Sequence, residues 1–277
     1  MELWYTEKQT ENLAFSCRIT RTLHRERTPF QDLAVVDTVQ YGRMLILDGM
    51  VQTTVADEFI YHEMITHVAL FTHPNPERVL VIGGGDGGTI REVVKHQKVK
   101  EAVLAEIDRR VVEVSREFLP EISCGLDDPR VTVLYADGIK HVQEKKGCYD
   151  VIIIDSTEPV GPAEGLFSRE FYQAVAEALK PDGLMVAQTE SPFVNADLIR
   201  KVTASIGEMF PVMRLYLASI PTYPSGLWSF TVGSKKYDPL AVRFEGELPF
   251  PTRYYTPALH HASFVLPAFV QELVAKK

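Results

Sequence analysis

The spacing of apolar and polar residues divides the chain into two parts with different periodicities. Up to about residue 56, short runs rich in β-branched and apolar residues are separated by turn residues such as Tyr41-Gly42 and Asp48-Gly49, and Asp-Gly is a strong hairpin signal. We therefore predict a small antiparallel β-sheet domain over residues 1–57. Its strands are expected in FSCRITRTLHRERT, QDLAVVDTV, GRMLILDG and MVQTTVAD.

From residue 58 onward the pattern is that of an α/β protein. The segment DEFIYHEMITHVALFTH has apolar residues at helical spacing, Asp57 stands where a cap is expected, and Pro74 follows its end. Later apolar runs alternate with helical stretches, which predicts a mostly parallel, twisted sheet with helices on both faces. We assign residues 58–277 to this Rossmann-like domain. The apolar runs are RVLVIG, EAVLAEID, VTVLYADG, YDVIIIDS and GLMVAQTE.

Composition and charge favour a cytoplasmic protein that binds small molecules. The net charge of −8 argues against nucleic acid as a partner and is compatible with a cationic ligand. No apolar run reaches the roughly 20 residues of a membrane helix, and the N-terminal segment lacks the features of a secretory signal. Cys17, Cys124 and Cys148 are widely separated, so we expect neither a disulfide framework nor a zinc site.

The glycine-rich segment VIGGGDGGTI predicts an adenosine ligand. Glycines at 83, 85 and 88 satisfy G-x-G-x-x-G between a strand and a helix, and Glu106 ends the next strand, where a ribose-binding acid is expected. Asp86 in the same loop would repel a pyrophosphate. The ligand should therefore combine adenosine with a cation such as a sulfonium, rather than be NAD. Asp137, at the end of the following strand, is a candidate acceptor for the adenine amine.

A second acidic segment, DSTEPVGPAEG, follows a strand buried on both faces. Asp155 stands at the carboxyl end of that strand, where open α/β sheets bind their ligands, and Glu158 follows three residues later. The prolines and glycines after it predict a loop able to close over a site. Together with Asp86, these acids place three carboxylates at one sheet edge, which is costly unless a cation lies between them.

These segments resemble the spermidine synthase family of polyamine aminopropyltransferases. The resemblance covers residues 4–272 and implies a class I methyltransferase-type fold. It also implies transfer of the aminopropyl group of decarboxylated S-adenosylmethionine, a co-substrate, to putrescine, with no cofactor or metal. Spermidine and 5′-methylthioadenosine would be the products. One departure is Glu158, where many members have aspartate. The matching stretches are LDGMVQTT, DEFIYHEM, VIGGGDGG, EID, ADG, DSTEPVGPA and IPTYPSG.

The chemistry and the resemblance together suggest roles for individual residues. An attacking amine must lose a proton, and Asp155 is our candidate general base. Asp86 would bind the amine of the transferred aminopropyl group, which explains an acid in the glycine loop. The other residues expected to bind the nucleoside donor are Gln31, Glu106, Asp137, Gly138 and Pro162. The amine site is expected to contain Tyr61, His62, Asp86, Asp155, Glu158 and Tyr223, with Gln52 as a further candidate.

Several alternatives remain open from the sequence. The acceptor could be agmatine, cadaverine or spermidine, and a putrescine N-methyltransferase using S-adenosylmethionine could share the fold, although Asp86 would face its carboxylate. A non-catalytic polyamine-binding protein or an NAD oxidoreductase fits the acidic residues less well. His62 and His67 are five residues apart rather than four, so YHEMITH is not a zinc motif. The resemblance implies a homodimer or homotetramer formed through the N-terminal sheet.

Overall fold

Two β-sheets organise the computed structural model, which describes residues 2–157 and 165–275. The first sheet has the order β1-β2-β3-β4-β5, and its neighbouring strands are antiparallel. Contacts draw β1 back towards β5: the Tyr5 hydroxyl donates to the Gly49 carbonyl, and Glu7 Oε2 accepts the Val51 N–H at 2.8 Å. The strands are β1 (Leu3–Lys8), β2 (Ala14–Arg27), β3 (Asp32–Thr38), β4 (Gly42–Leu47) and β5 (Met50–Thr54).

The second sheet has the order β11-β12-β10-β9-β6-β7-β8. Its strands from β10 to β8 are parallel, and β12 and β11 are antiparallel to their neighbours. The strand order reverses between β6 and β9, and ligands of such sheets bind in the crevice at this point. The strands are β6 (Arg78–Gly83), β7 (Glu101–Glu106), β8 (Val131–Tyr135), β9 (Tyr149–Asp155), β10 (Leu179–Gln188), β11 (Val212–Ser219) and β12 (Leu227–Ser234).

Helices cover both faces of the second sheet because its strands are apolar on both sides. In β9, Val151 and Ile153 pack with α1 and α2, whereas Ile152 and Ile154 pack on the opposite face with α5, α6 and α7. The helices are α1 (Glu58–Thr72), α2 (Gly88–Val94), α3 (Arg109–Phe118), α4 (Pro120–Ser123), α5 (Gly138–Gln143), α6 (Arg169–Ala178), α7 (Ala196–Met209), α8 (Pro257–Ala262) and α9 (Ala268–Val274).

The predicted fold class is confirmed: an antiparallel sheet precedes a largely parallel sheet covered by helices. The first sheet ends at Thr54 and α1 begins at Glu58, and the domain division at residue 57 stays a prediction. The two sheets are joined through α3 and α4, where Leu33 and Leu45 share a core with Val111. Within the described residues, none of the helices has the length and apolar character needed to cross a membrane.

One detail of the helix prediction was wrong. Asp57 occupies the N-cap position of α1, but its side chain makes no capping hydrogen bond. Its Oδ1 accepts the Thr54 hydroxyl at 2.5 Å, and its Oδ2 accepts the hydroxyl and backbone N–H of Thr222 at 2.8 and 3.1 Å. The carboxylate is therefore used to join distant segments of the chain, a partner choice that local spacing does not reveal.

Candidate active site

One cavity opens at the carboxyl ends of β6, β7, β8 and β9. The space between its walls, with the open mouth included, is about 1380 Å³. Glu158 and Pro162 lie outside the described residues, and the role of each predicted site residue stays a prediction. The predicted site residues that the structure describes all line this cavity: Gln31, Gln52, Tyr61, His62, Asp86, Glu106, Asp137, Gly138, Asp155 and Tyr223.

Two glycines, one in the loop after β6 and one at the first position of α2, permit close approach of functional side chains. Gly84 has a φ of +69°, and a Cβ there would collide with Oδ2 of Asp155. A Cβ at Gly88 would collide with the imidazole of His62. The absence of side chains thus allows groups from β9 and α1 to contact the loop backbone.

Asp86 is oriented by protein contacts on one of its two oxygens. Oδ1 accepts the Gly88 N–H at 2.7 Å and lies 3.4 Å from His62 Nε2, whereas no described residue hydrogen-bonds to Oδ2. Burial alone would raise the pKa of Asp86, but the neighbouring His62 holds it below its ordinary value. Asp86 therefore stays ionised, with one oxygen available to a cationic ligand.

His62 is a cation built into the site. Its Nδ1 lies 2.6 Å from Glu58 Oε2, and Arg91 pairs with the same carboxylate at 2.8 Å. Burial alone would lower the pKa of His62, but Asp86 and Glu58 raise it to about 10. The protein thus supplies part of the positive charge that is predicted to lie between the carboxylates at this sheet edge.

Asp155 is held by hydroxyl groups on both oxygens. The Tyr61 hydroxyl donates to Oδ1 at 2.7 Å, and the Thr89 hydroxyl donates to Oδ2 at 2.6 Å. Burial, followed by the nearby charge of Asp86, raises the pKa of Asp155. A carboxylate with a raised pKa is a better proton acceptor than an ordinary one.

One wall of the cavity contains Gln31, Asp86, Glu106, Asp137 and Gly138, and it is called the nucleoside side after the ligand predicted for it. Burial raises the pKa of Glu106 to about 7, and its Oε1 accepts the Asp108 N–H at 2.8 Å. Asp108 in turn accepts the Gln31 amide at 2.9 Å, so the first sheet is tied to the end of β7. Asp137 caps α5 by accepting the Ile139 N–H at 2.9 Å. Each of these acids is thus fixed by backbone donors close to it in the chain.

The opposite wall contains Glu7, Gln52, Tyr61, Tyr223 and Trp228 from distant segments, and it is called the amine side after the ligand predicted for it. The Tyr223 hydroxyl donates to the Gln52 carbonyl at 2.6 Å, and the Tyr223 ring lies 5.6 Å from that of Tyr61. Thr222, which precedes Tyr223 in the chain, donates hydrogen bonds to Asp57. Strand β5, helix α1 and the turn before β12 thus meet at one surface.

Comparisons with known proteins agree with this geometry. A family model described as "Spermine/spermidine synthase domain" matches residues 58–243, and one described as "Spermidine synthase tetramerisation domain" matches residues 3–55. The chain belongs to the spermine/spermidine synthase family. The recognised resemblance is thereby confirmed.

Curated relatives of the chain are polyamine aminopropyltransferases. Those from Caldicellulosiruptor bescii, Moorella thermoacetica and Bacillus subtilis are 62%, 60% and 56% identical, over 99%, 98% and 99% of this chain and 99%, 96% and 99% of their own lengths. A solved spermidine synthase in complex with the transition state analogue AdoDATO has a TM-score of 0.96 and 43% identity, and covers 98% of this chain and 94% of its own. The spermidine synthase of Thermotoga maritima has a TM-score of 0.92 and 42% identity with the same coverage. The chain is therefore an enzyme of the polyamine aminopropyltransferase class.

Several polar and aromatic side chains at this aminopropyltransferase site were not predicted from the sequence. Glu7, Gln188 and Trp228 line the cavity. Thr89 does not line it but donates a hydrogen bond to Asp155. Gln188 ends β10, so the rule that ligands bind at the carboxyl ends of strands had marked its position. Glu7 lies on β1, which the hydrophobic pattern did not single out, and only the contacts between β1 and β5 bring it to the cavity.

Proposed function

We propose that this aminopropyltransferase transfers the aminopropyl group of decarboxylated S-adenosylmethionine to putrescine, with Asp155 as the general base. The supporting observation is that Asp86 and Asp155 face the same cavity with pKa values shifted in opposite directions, lowered for Asp86 and raised for Asp155. Such a pair suits two different tasks. Asp86 stays charged to hold an ammonium group, and Asp155 accepts a proton.

The reaction is a direct displacement at the methylene next to the sulfonium. An alkyl amine has a pKa near that of lysine, about 10.4, so freeing its lone pair at neutral pH costs about 4–5 kcal/mol. The nitrogen forms a bond to the methylene while the carbon–sulfur bond breaks, and the electron pair goes to sulfur to give a neutral thioether. The ammonium proton moves to Asp155, which shares the cost of deprotonation with the bond-forming step.

The nucleoside side is suited to this donor. Glu106 would accept hydrogen bonds from the ribose hydroxyls, Asp137 and Gly138 would contact the adenine, and Gln31 would contact the nucleoside from the first sheet. Decarboxylation leaves the donor with an ammonium and no carboxylate, so Asp86 would attract that ammonium and would repel the carboxylate that S-adenosylmethionine retains. A similar solved spermidine synthase is in complex with the transition state analogue AdoDATO, which supports the proposed class of reaction.

We assign the distal ammonium of putrescine to Glu7. Glu7 is buried, lines the cavity on the amine side and is oriented by the Val51 N–H. Besides burial, the charge of Glu7 raises the pKa of Tyr5 and of Cys17. A buried carboxylate on this wall can pair with the second ammonium of a diamine, which a monoamine lacks.

We also propose that the enzyme is a homo-oligomer formed through the first sheet. The family model that matches this sheet is described as a tetramerisation domain, and several large apolar side chains on it are exposed. They are Leu3, Trp4, Leu13 and Val39. Light scattering coupled to size-exclusion chromatography tests this, and a monomeric mass for the native protein at micromolar concentration would contradict it.

The first experiment is an acceptor panel. Purified enzyme receives decarboxylated S-adenosylmethionine with putrescine, cadaverine, agmatine or spermidine, and 5′-methylthioadenosine is followed by chromatography. We expect the highest kcat/KM with putrescine. A higher value for another amine would reject putrescine as the preferred acceptor, and the absence of methylthioadenosine with every amine would reject the proposed reaction.

A further inference from the structure

Asp155 receives two hydroxyl hydrogen bonds that differ in their relation to the cavity. Tyr61, which donates to Oδ1, lines the cavity and can contact a bound amine. Thr89, which donates to Oδ2 at 2.6 Å, is fully buried and is not among the described residues that line the cavity. Thr89 is therefore placed to act on the reaction through Asp155.

We propose that Thr89 is a positioning residue for the aminopropyl transfer. Its hydroxyl fixes the plane of the Asp155 carboxylate and helps to keep that carboxylate ionised. The inference rests on the proposed role of Asp155 as general base. Thr89 lies in the first turn of α2, directly after the glycine loop that carries Asp86. One short helix thus connects the loop that would hold the donor with the carboxylate that would accept the proton.

The two hydroxyl contacts restrict the orientation of the Asp155 carboxylate. A carboxylate bound through one oxygen can still rotate about its Cβ–Cγ bond, whereas hydroxyl groups on both oxygens fix the plane. Each oxygen keeps a second lone-pair direction for the amine proton. Proton transfer from a bound amine requires a hydrogen-bond distance of about 3 Å, so a rotated carboxylate would lose contact with its substrate.

The Thr89 hydroxyl and burial shift the pKa of Asp155 in opposite directions. Burial and Asp86 raise the pKa of Asp155, while the charge of His62 and the hydroxyl groups of Thr89 and Tyr61 lower it. Loss of the Thr89 hydroxyl should therefore raise the pKa of Asp155 further, and a larger fraction of enzyme would hold it protonated near neutral pH. The titratable groups of described residues that interact with Asp155 are Asp86, His62, Tyr61, Tyr223 and Glu106.

The test compares T89V with T89S. Valine has nearly the shape of threonine but no hydroxyl, whereas serine keeps the hydroxyl. With saturating donor, we expect the acid limb of kcat/KM for putrescine to move up by about one pH unit in T89V and kcat on the plateau to fall about tenfold. T89S should keep the limb within about 0.3 pH units of the wild type. Binding of methylthioadenosine should change by less than about twofold in both variants.

Thr66 provides a matched control on α1. It is fully buried, and its hydroxyl has no hydrogen-bond partner among the described residues. T66V makes the same chemical change without removing a hydrogen bond, so its pH profile and kcat should equal those of the wild type. If T89V does not fold, T89S and T89A give the comparison, because they differ only by the hydroxyl.

The result that overturns the inference is a T89V enzyme with the wild-type acid limb and plateau rate, or a limb shift that T66V shares. Failure of the proposed function has a different signature, since D155N would then retain wild-type turnover. Measuring D155N in parallel therefore separates an incorrect role for Thr89 from an incorrect role for Asp155.

Discussion

The nucleoside side and the amine side of the cavity are built in different ways. On the nucleoside side, Asp86, Glu106 and Asp137 each lie at or just after the carboxyl end of a strand of the parallel sheet, and each accepts a hydrogen bond from a backbone N–H two residues further along the chain. On the amine side, Tyr223 is oriented by the backbone of Gln52, 171 residues away in the sequence. One wall is a set of local motifs, and the other is a product of packing.

This difference suggests how specificity and chemistry are separated in the enzyme. A wall of strand-end acids stabilised by local contacts can present the same polar pattern whenever the sheet forms. A wall that joins β1, β5, α1 and the turn before β12 depends on how the first sheet packs on the second. We therefore expect changes in that packing to alter the amine acceptor while nucleoside binding stays intact.

Replacing Asp155, which lies between the two walls, should have the largest effect. D155N removes the proton acceptor while retaining shape, and we expect kcat to fall about 1000-fold, with methylthioadenosine binding unchanged. Rapid-quench and steady-state measurement of methylthioadenosine release, with calorimetry for binding, would check this. D150N is the control, because it removes a buried carboxylate at the opposite end of β9 and should affect stability rather than kcat. Wild-type turnover by D155N would contradict the proposal.

On the nucleoside side, Asp86 should distinguish the donor from the product nucleoside. D86N is expected to weaken binding of decarboxylated S-adenosylmethionine about 100-fold, equivalent to about 3 kcal/mol, because the ammonium loses its charged partner. Methylthioadenosine has no ammonium, so its affinity should change by less than about twofold. Equal losses for both ligands in calorimetry would show instead that Asp86 only shapes the loop.

On the amine side, Glu7 should distinguish a diamine from a monoamine. E7Q is expected to lower kcat/KM for putrescine about 30-fold, because a buried ammonium loses its counter-charge. The matched comparison substrate is n-butylamine, which lacks the distal ammonium and should react at a similar rate with both enzymes. The proposal is wrong if the ratio of the two kcat/KM values is the same in E7Q and the wild type.

The smallest expected effect is a pH dependence confined to the nucleoside side. The pKa of Glu106 is raised to about 7 by burial, so the group is mostly protonated at pH 6 and mostly ionised at pH 8. Because ribose hydroxyls donate to the ionised form, methylthioadenosine affinity should fall about tenfold from pH 8 to pH 6. Calorimetry across this range measures the change, and E106Q should bind weakly with no such dependence. A flat profile for the wild type would exclude this role of Glu106.

Both sheets and most of the strands follow from the hydrophobic pattern, because alternating and fully apolar runs differ in period. The pattern also locates Asp86, Glu106, Asp137 and Asp155 at strand ends. It does not single out β1, where alternation is weak and most side chains are exposed. Nor does it indicate that Asp57 accepts hydrogen bonds from Thr222. A short polar side chain at the start of a helix can either cap the helix or bind a distant residue.

The sequence by itself determined the family and the positions of the acids at the strand ends, and an acid in a glycine loop with an acid at the next strand end predicts a cationic nucleoside as ligand. Only the tertiary structure decided the charge states. His62 becomes a lasting cation because Asp86 and Glu58 flank it, and Asp155 becomes a stronger base because it is buried beside Asp86. A pKa depends on burial and on neighbours in space, and neither is encoded in the spacing of residues along the chain.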